Sequence, residues 1–246
     1  MPNNYFQFKQ FTVQQENAAL KVSTDSCLFG AWVAEELRST DNSLTIHHSP
    51  LTILDIGAGT GLLMLVLAQK CDALIDGIEI DEPSYRQAKE NIDASPWKER
   101  LQLFHGDVKQ FNFSKKYDLI ISNPPFYEGD LKSDAAHRNV AMHDAGLKLD
   151  ELLTSVDANL TVEGRFAVLL PWSRASYFID LANKSNFYLE KQAIVSQTEK
   201  HQYIRAMFIF SRQNLGKVRP LFIPIRNDNE YSDTFIRLLK DYYLYL

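Results

Sequence analysis

Apolar residues recur along this chain in two rhythms, short β-branched runs that read as strands and stretches with apolar positions three and four residues apart that read as helices. The first helix is expected over Thr24–Leu37, with Thr24 or Asp25 as its cap and Leu28, Ala31, Trp32 and Leu37 as its apolar positions. The polar, turn-prone stretch Ser39–Pro50 then separates an N-terminal segment from the main body. Beyond it come strand Thr52–Ile56, helix Leu62–Lys70, strand Leu74–Ile80 and helix Pro83–Ala94. Strands Leu101–His105 and Tyr117–Ser122, helix Leu149–Leu160 and strand Arg165–Leu170 follow. Such alternation predicts an α/β architecture, a parallel sheet wound with helices on both faces. Past Pro171 the order changes. A helix over Ser173–Asn183 precedes strands Phe187–Ser196 and Tyr203–Ser211, whose short polar connection predicts an antiparallel hairpin. Pro220–Ile225 reads as a further strand and Ser232–Leu246 as a terminal amphipathic helix. No repeat interrupts the pattern, and the 246 residues are read as one domain, with 1–50 as an N-terminal extension.

Composition supports a continuous core: 45% of residues are hydrophobic and 12% aromatic, so disorder is not expected. Met1–Gln10 lacks the basic and apolar regions of a secretion signal, and the longest apolar run, Leu62–Ala68, is too short to span a bilayer. A cytoplasmic protein with no membrane attachment is therefore expected. Cys27 and Cys71 have no CxxC spacing and read as reduced core thiols. The six histidines have neither helical i, i+4 pairing nor cysteine partners, so no metal is expected. A net charge of −5 argues weakly against nucleic acid, because phosphate contacts need cations. Between Lys184 and Arg226, however, eight Lys/Arg stand against Glu190 and Glu199 alone. That imbalance permits a basic face on an acidic protein, or only the solvated edges of strands and loops.

Ile53–Gly61 (ILDIGAGTG) places Gly57, Gly59 and Gly61 directly between an apolar strand and an apolar helix. Glycine lets the backbone turn left-handed and lets a ligand lie against it. A dinucleotide fold requires G-x-G-x-x-G, and Leu62 stands where its last glycine belongs. The D-x-G-x-G-x-G pattern beginning at Asp55 resembles instead the first motif of S-adenosylmethionine enzymes. Glu79 ends the second strand, 24 residues after Asp55, where an acceptor-only carboxylate suits two ribose hydroxyls. Asp81 reads as the cap of the next helix. Gly106-Asp107, after the third strand, reads as a turn, or as the acid that accepts from an adenine amino group.

The fourth strand runs into Asn123-Pro124-Pro125-Phe126. Two prolines remove two backbone donors and stiffen the corner. The Asn123 side-chain oxygen and the Pro124 carbonyl then form an acceptor pair suited to an –NH₂ group, with Phe126 as a stacking plane. An aromatic or amide nitrogen is a poor nucleophile because its lone pair is delocalised. Accepting both its hydrogens stabilises the nitrogen as it pyramidalises and gains charge, so orientation and fixed dipoles supply the catalysis without a strong base. Asn123 lies 68 residues past Asp55, and the two motifs together are far more specific than a glycine pattern alone.

With these motifs the sequence resembles the bacterial tRNA valine (adenine-37-N6) methyltransferases, within the wider N6-adenine and N5-glutamine amino-methyltransferase group. The likeness extends to Phe8–Phe11 (FKQF), Lys21–Asp25 (KVSTD), Gly30–Trp32 (GAW), Asn91–Trp97 (NIDASPW) and a C-terminal Tyr-Ser-Asp helix ending in aromatics. It implies a class I methyltransferase (Rossmann-like) fold, a doubly wound sheet, mostly parallel with an antiparallel C-terminal hairpin. It implies S-adenosyl-L-methionine as cofactor, held by Asp55, Gly57, Ala58, Gly59, Gly61, Glu79, Ile80, Asp107, Val108 and Asn123. Lys21, Thr24 and Asp25 resemble a loop that closes over the cofactor's methionine end. Asn123, Pro124, Pro125 and Phe126 would hold the target adenine. Phe126 stands where many relatives have Tyr, which keeps the plane and loses a hydroxyl.

The resemblance implies tRNA as partner, with an anticodon-loop adenine as acceptor, since a loop base needs little extrusion to reach a buried methyl. Lys132, His137, Arg138 and His143, just after the tetrapeptide, and Lys217 and Arg219 in the basic segment are candidate phosphate contacts. A monomer is expected. The same tetrapeptide also serves glutamine-N5 methylation of a protein such as a release factor. That reading normally comes with an extra N-terminal helical domain, and about 50 residues precede Asp55 here. DNA adenine methylation lacks a visible target-recognition domain, and a catalytically silent binding module has no use for the acceptor pair.

Overall fold

The structure, a computed structural model, describes residues 3–44, 50–125 and 147–246. Its centre is an eight-stranded sheet. β3 (Thr52–Ile56), β4 (Leu74–Glu79), β5 (Leu101–His105), β6 (Tyr117–Ser122) and β7 (Leu160–Pro171) are mutually parallel, in the order β7-β6-β3-β4-β5. β3 and β6 are buried on both faces, as strands between two helical layers must be. The hairpin strands β8 (Tyr188–Ser196) and β9 (Tyr203–Ser211) extend this sheet, with β9 antiparallel between β7 and β8. β10 (Leu221–Pro224) closes the edge, parallel to β8.

One face carries α1 (Thr24–Leu44), α2 (Leu62–Ala68), α3 (Glu82–Asp93) and α6 (Asp233–Leu239), with Trp32, Met64, Val66 and Phe235 fully interior. On the other, α4 (Leu149–Asn159) and α5 (Ala175–Lys184) press Leu152, Val156 and Phe178 onto Phe166, Phe208 and Phe210. The fold expected from the sequence is the one observed.

Several boundaries moved. Residues 39–44, read as linker, continue α1 to Leu44, because no Gly or Pro interrupts the backbone before Pro50. The terminal helix stops at Leu239. Beyond it Tyr242 turns inward, buried, with its hydroxyl donating to the Val66 carbonyl at 3.2 Å. The N-terminal segment contains an unforeseen hairpin, β1 (Tyr5–Gln7) and β2 (Thr12–Gln14), too short for its alternation to register in the sequence. A second small hairpin joins β11 (Arg226–Asn227) to β12 (Glu230–Tyr231). Cys27 is a buried free thiol, and Cys71 Sγ donates to the Leu67 carbonyl at 3.2 Å.

Candidate active site

β3 lies between β6 and β4, where the connections leave in opposite directions, and a crevice opens beyond the strands' C-terminal ends at such a point. The glycine turn, Glu79, Asp107 and Asn123 all sit on this rim, at the ends of β3, β4, β5 and β6. Ile56 pairs with Ser122, whose hydroxyl donates to the Ile56 carbonyl at 2.8 Å, so the two motifs leave the sheet side by side.

Gly57, Gly59 and Gly61 all adopt left-handed φ, at 76°, 56° and 78°. The Gly57 and Ala58 amides both donate to the Ile78 carbonyl, and the Gly59 amide donates to Glu79 Oε2 at 2.8 Å. Glu79 Oε1 accepts from the Asp81 amide, also at 2.8 Å, and Asp81 caps α3 as expected. Both Glu79 oxygens are thus engaged by backbone, leaving one further lone pair each for a ligand hydroxyl. Among the described residues, nothing beyond its chain neighbours lies within 4 Å of where a Gly57 Cβ would sit.

Asp55 is fully buried, and among the described residues neither carboxylate oxygen has a hydrogen-bond partner. Burial, then the charge of Glu79, pushes its carboxyl up to about 8. A buried carboxylate without a partner is costly unless a cation or donor reaches it. Ile80, beside Glu79, is 58% exposed, an apolar side chain turned outward on the rim. Asp107 accepts from the Lys109 amide at 2.9 Å and keeps one oxygen toward solvent and the Lys109 ammonium. Ala58 and Val108, by contrast, point into the two cores, so only their backbones can face a ligand. The sulfonium nucleoside fits this rim. It offers an ammonium for Asp55, hydroxyls for Glu79, and a flat base for Ile80.

At the corner, the Asn123 amide group donates to Ser26 Oγ at 2.9 Å, while Asn123 Oδ1 is buried without a partner among the described residues. Ser26, itself buried, is held by Ser23: the two hydroxyls lie 2.9 Å apart, and the Ser26 amide donates to Ser23 Oγ. Pro124 is buried and Pro125 exposed. Phe126, Lys132, His137, Arg138 and His143 lie outside the described residues.

The remaining expected residues divide. Lys21 is exposed on the segment leading into α1. Thr24 shares a hydrogen bond with Tyr243 and Asp25 forms an ion pair with Arg205 at 2.8 Å, so both side chains tie α1 to the C-terminal half. Lys217 and Arg219 precede edge strand β10, four strands from β6, and are not brought to the corner. A groove of about 730 Å³ between α4 and the 107–116 connection contains only Val108 of these residues, so the chemistry sits at the strand ends. Sequence reading passed over Ser26, although it directly follows the Lys21–Asp25 block, and over the role of Asn91. That side chain receives the Gln14 amide and donates to the Gln14 and Thr60 carbonyls.

Residues 42–160 match the model of the methyltransferase small domain family. The chain is 37% identical over 242 residues to the tRNA1(Val) (adenine(37)-N6)-methyltransferase of Flavobacterium psychrophilum, covering 97% of this chain and 99% of that protein. Among solved structures it superposes on a predicted O-methyltransferase from Agrobacterium tumefaciens with TM-score 0.61 and 12% identity, covering 88% of this chain and 96% of the other. A glycopeptide N-methyltransferase complexed with S-adenosyl-L-methionine gives TM-score 0.52 at 12% identity, covering 75% and 94%.

Proposed function

The chain belongs to the tRNA1(Val) (adenine(37)-N6)-methyltransferase family, and from that membership we propose how its strand-end corner methylates adenine N6 in the anticodon loop of a valine tRNA. It is an S-adenosylmethionine-dependent tRNA adenine-N6 methyltransferase with a class I fold. The whole chain acts as one domain in the cytoplasm, with the described N-terminal segment packed beside the cofactor rim through Gln14 on Asn91 and Ser26 on Asn123. The observation that carries the reading is Asn123 Oδ1, a buried acceptor with no partner of its own among the described residues, at the end of the strand beside the glycine turn.

When bound, the cofactor supplies an electrophilic methyl on a positively charged sulfur. Asp55, the glycine turn, Glu79, Ile80 and Asp107 hold it. The acceptor pair, Asn123 Oδ1 and the Pro124 carbonyl, receives the two hydrogens of the adenine amino group. Those hydrogen bonds strengthen as the nitrogen becomes cationic, so they stabilise the transition state more than the ground state. Ser26 keeps the amide from rotating. Asn123 Oδ1 is itself shielded from water, which strengthens the bond it accepts. Glutamine-N5 methylation would use the same acceptors, and the full-length likeness to a tRNA adenine-N6 enzyme favours RNA.

The test is incubation with labelled cofactor and unmodified tRNA, followed by digestion to nucleosides. Labelled 6-methyladenosine is the expected product, and label in a protein glutamine with none in RNA would replace the reading.

A further inference from the structure

Three exposed aromatic side chains form a continuous row beside the catalytic corner. Trp172 follows the last residue of β7, Tyr203 opens β9, and Phe222 lies on edge strand β10. Their rings are in contact, Trp172 with Tyr203 at 5.0 Å and 74°, Tyr203 with Phe222 at 5.8 Å and 32°. They are nonetheless 36%, 41% and 51% exposed. Single exposed aromatics are ordinary, but three in a row leave an apolar strip facing water, which marks a contact surface.

The strip is continuous with the reaction site, because Pro171, next to Trp172, lines a small cavity together with Pro124 and Pro125. It runs away from that cavity across β9 and β8 to β10. Charge accompanies it. Lys200 lies three residues before Tyr203 and Arg219 three before Phe222, both exposed and without an ion pair among the described residues. On a chain of net charge −5, each of these cations stands three residues along the chain from a ring, with Glu199 the one acid beside them in sequence. Protein interfaces share such rings and arginines but are depleted in lysine, whereas rings that stack bases beside cations that neutralise phosphates are the pattern of single-stranded nucleic acid, the acceptor class of the function proposed above.

Resting on the function proposed above, we propose that Trp172, Tyr203 and Phe222 are the platform on which unpaired bases beside the target adenine stack, with Lys200 and Arg219 contacting their phosphates. A folded loop presents several splayed bases at once. One enters the corner, and its neighbours need a surface that accepts any base by its face. The edge strand lies about 19 Å from β6, four inter-strand spacings, a reach suited to one anticodon stem-loop.

The test compares wild type with Tyr203→Ala, Phe222→Ala and the double variant. It measures binding of an unmodified anticodon stem-loop RNA and of a fully paired RNA duplex, cofactor affinity, Tm and 6-methyladenosine formation. Each alanine is expected to weaken stem-loop binding about tenfold, as loss of one stacked base does. Duplex binding, cofactor affinity, Tm and kcat at saturating RNA should be unchanged, and Tyr203→Phe and Phe222→Tyr should bind like wild type. Folded alanine variants that hold the stem-loop as wild type does would overturn the platform, as would equal weakening toward the duplex. Ring-dependent binding of the stem-loop by a wild-type protein that forms no 6-methyladenosine would uphold the platform and overturn the proposed function.

Discussion

The Asn123 side chain donates to Ser26 Oγ at 2.9 Å across 97 residues of sequence, joining the first turn of α1 to the end of β6. An Asn amide can present either its oxygen or its nitrogen to a substrate, and only the oxygen can accept from an adenine amino group. A Ser26 hydroxyl that gives its proton to Ser23 Oγ, 2.9 Å away, is left to accept and so selects that orientation. Ser26→Ala is expected to lower kcat about tenfold while leaving cofactor affinity unchanged, with Ser26→Thr restoring most of it, because the hydroxyl rather than the side-chain volume sets the amide. Asn123→Ala should lose turnover by orders of magnitude and still bind cofactor. Single-turnover kinetics with parallel calorimetry separate the two effects, and a Ser26→Ala enzyme with normal kcat would exclude the orienting role.

Asp55 gives a pH dependence. Its folded carboxyl sits at about 8, raised by burial and then by Glu79, against about 3.9 in the unfolded chain. Between these values the unfolded chain has released a proton that the ligand-free native state retains, so native stability falls as pH rises from about 4 to about 8. Asp55→Asn removes this titration. The Tm advantage of the variant over wild type should therefore grow by several degrees from pH 5 to pH 8 in the absence of cofactor. The variant should also bind cofactor poorly, having lost the anion that meets its ammonium. Thermal melts at the two pH values decide the first point and calorimetry the second.

At Gly57 strain and ligand contact can be separated. Among the described residues a Cβ there meets nothing within 4 Å beyond its chain neighbours, so Gly57→Ala introduces no clash with them. The φ of 76° still costs an alanine roughly 1–2 kcal/mol, which lowers Tm by about 2–8 °C. The methyl also occupies the side of the turn on which the ligand is expected to lie. Cofactor affinity should fall tenfold or more, beyond anything the modest loss of stability produces. Equal cofactor affinity in a folded Gly57→Ala protein would place the ligand elsewhere.

The fold and much of the rim were legible because their signals are local. Glycines between Ile56 and Leu62, an acid closing β4 and two prolines after β6 each fix backbone conformation within a few residues. What escaped reading depends on distance. Ser26 acquires meaning only when α1 is laid beside β6. Trp172, Tyr203 and Phe222 form one surface only because β9 inserts between β7 and β8, a pairing order the sequence does not state. The helix α1 ran past its expected end because Ser, Thr, Asp and Asn weaken a helix without stopping it. Val108, named with Asp107 among the cofactor residues, packs its side chain in the core beneath the rim.

Asn91 shows why the Asn91–Trp97 block accompanies the catalytic motifs. Its side chain is buried on α3, accepts the Gln14 amide at 2.8 Å, and donates to the Gln14 and Thr60 carbonyls, both at 2.9 Å. It therefore pins the N-terminal hairpin to the glycine turn, while Trp97 meets Phe11 edge-on at 5.7 Å. Asn91→Ala removes three hydrogen bonds and leaves buried groups unpaired, an expected loss of roughly 2–4 kcal/mol in a denaturant melt. Asn91→Asp discriminates further. It keeps the size and the bond to the Gln14 amide but turns a donor into an anion facing two carbonyls, so it should be at least as destabilising at pH 7 and partly recover at acid pH, where the carboxyl regains a proton. Weaker cofactor binding in both variants, with Ser26 and Asn123 untouched, would tie the hairpin to the shape of the glycine turn. Unchanged binding would confine Asn91 to stability alone.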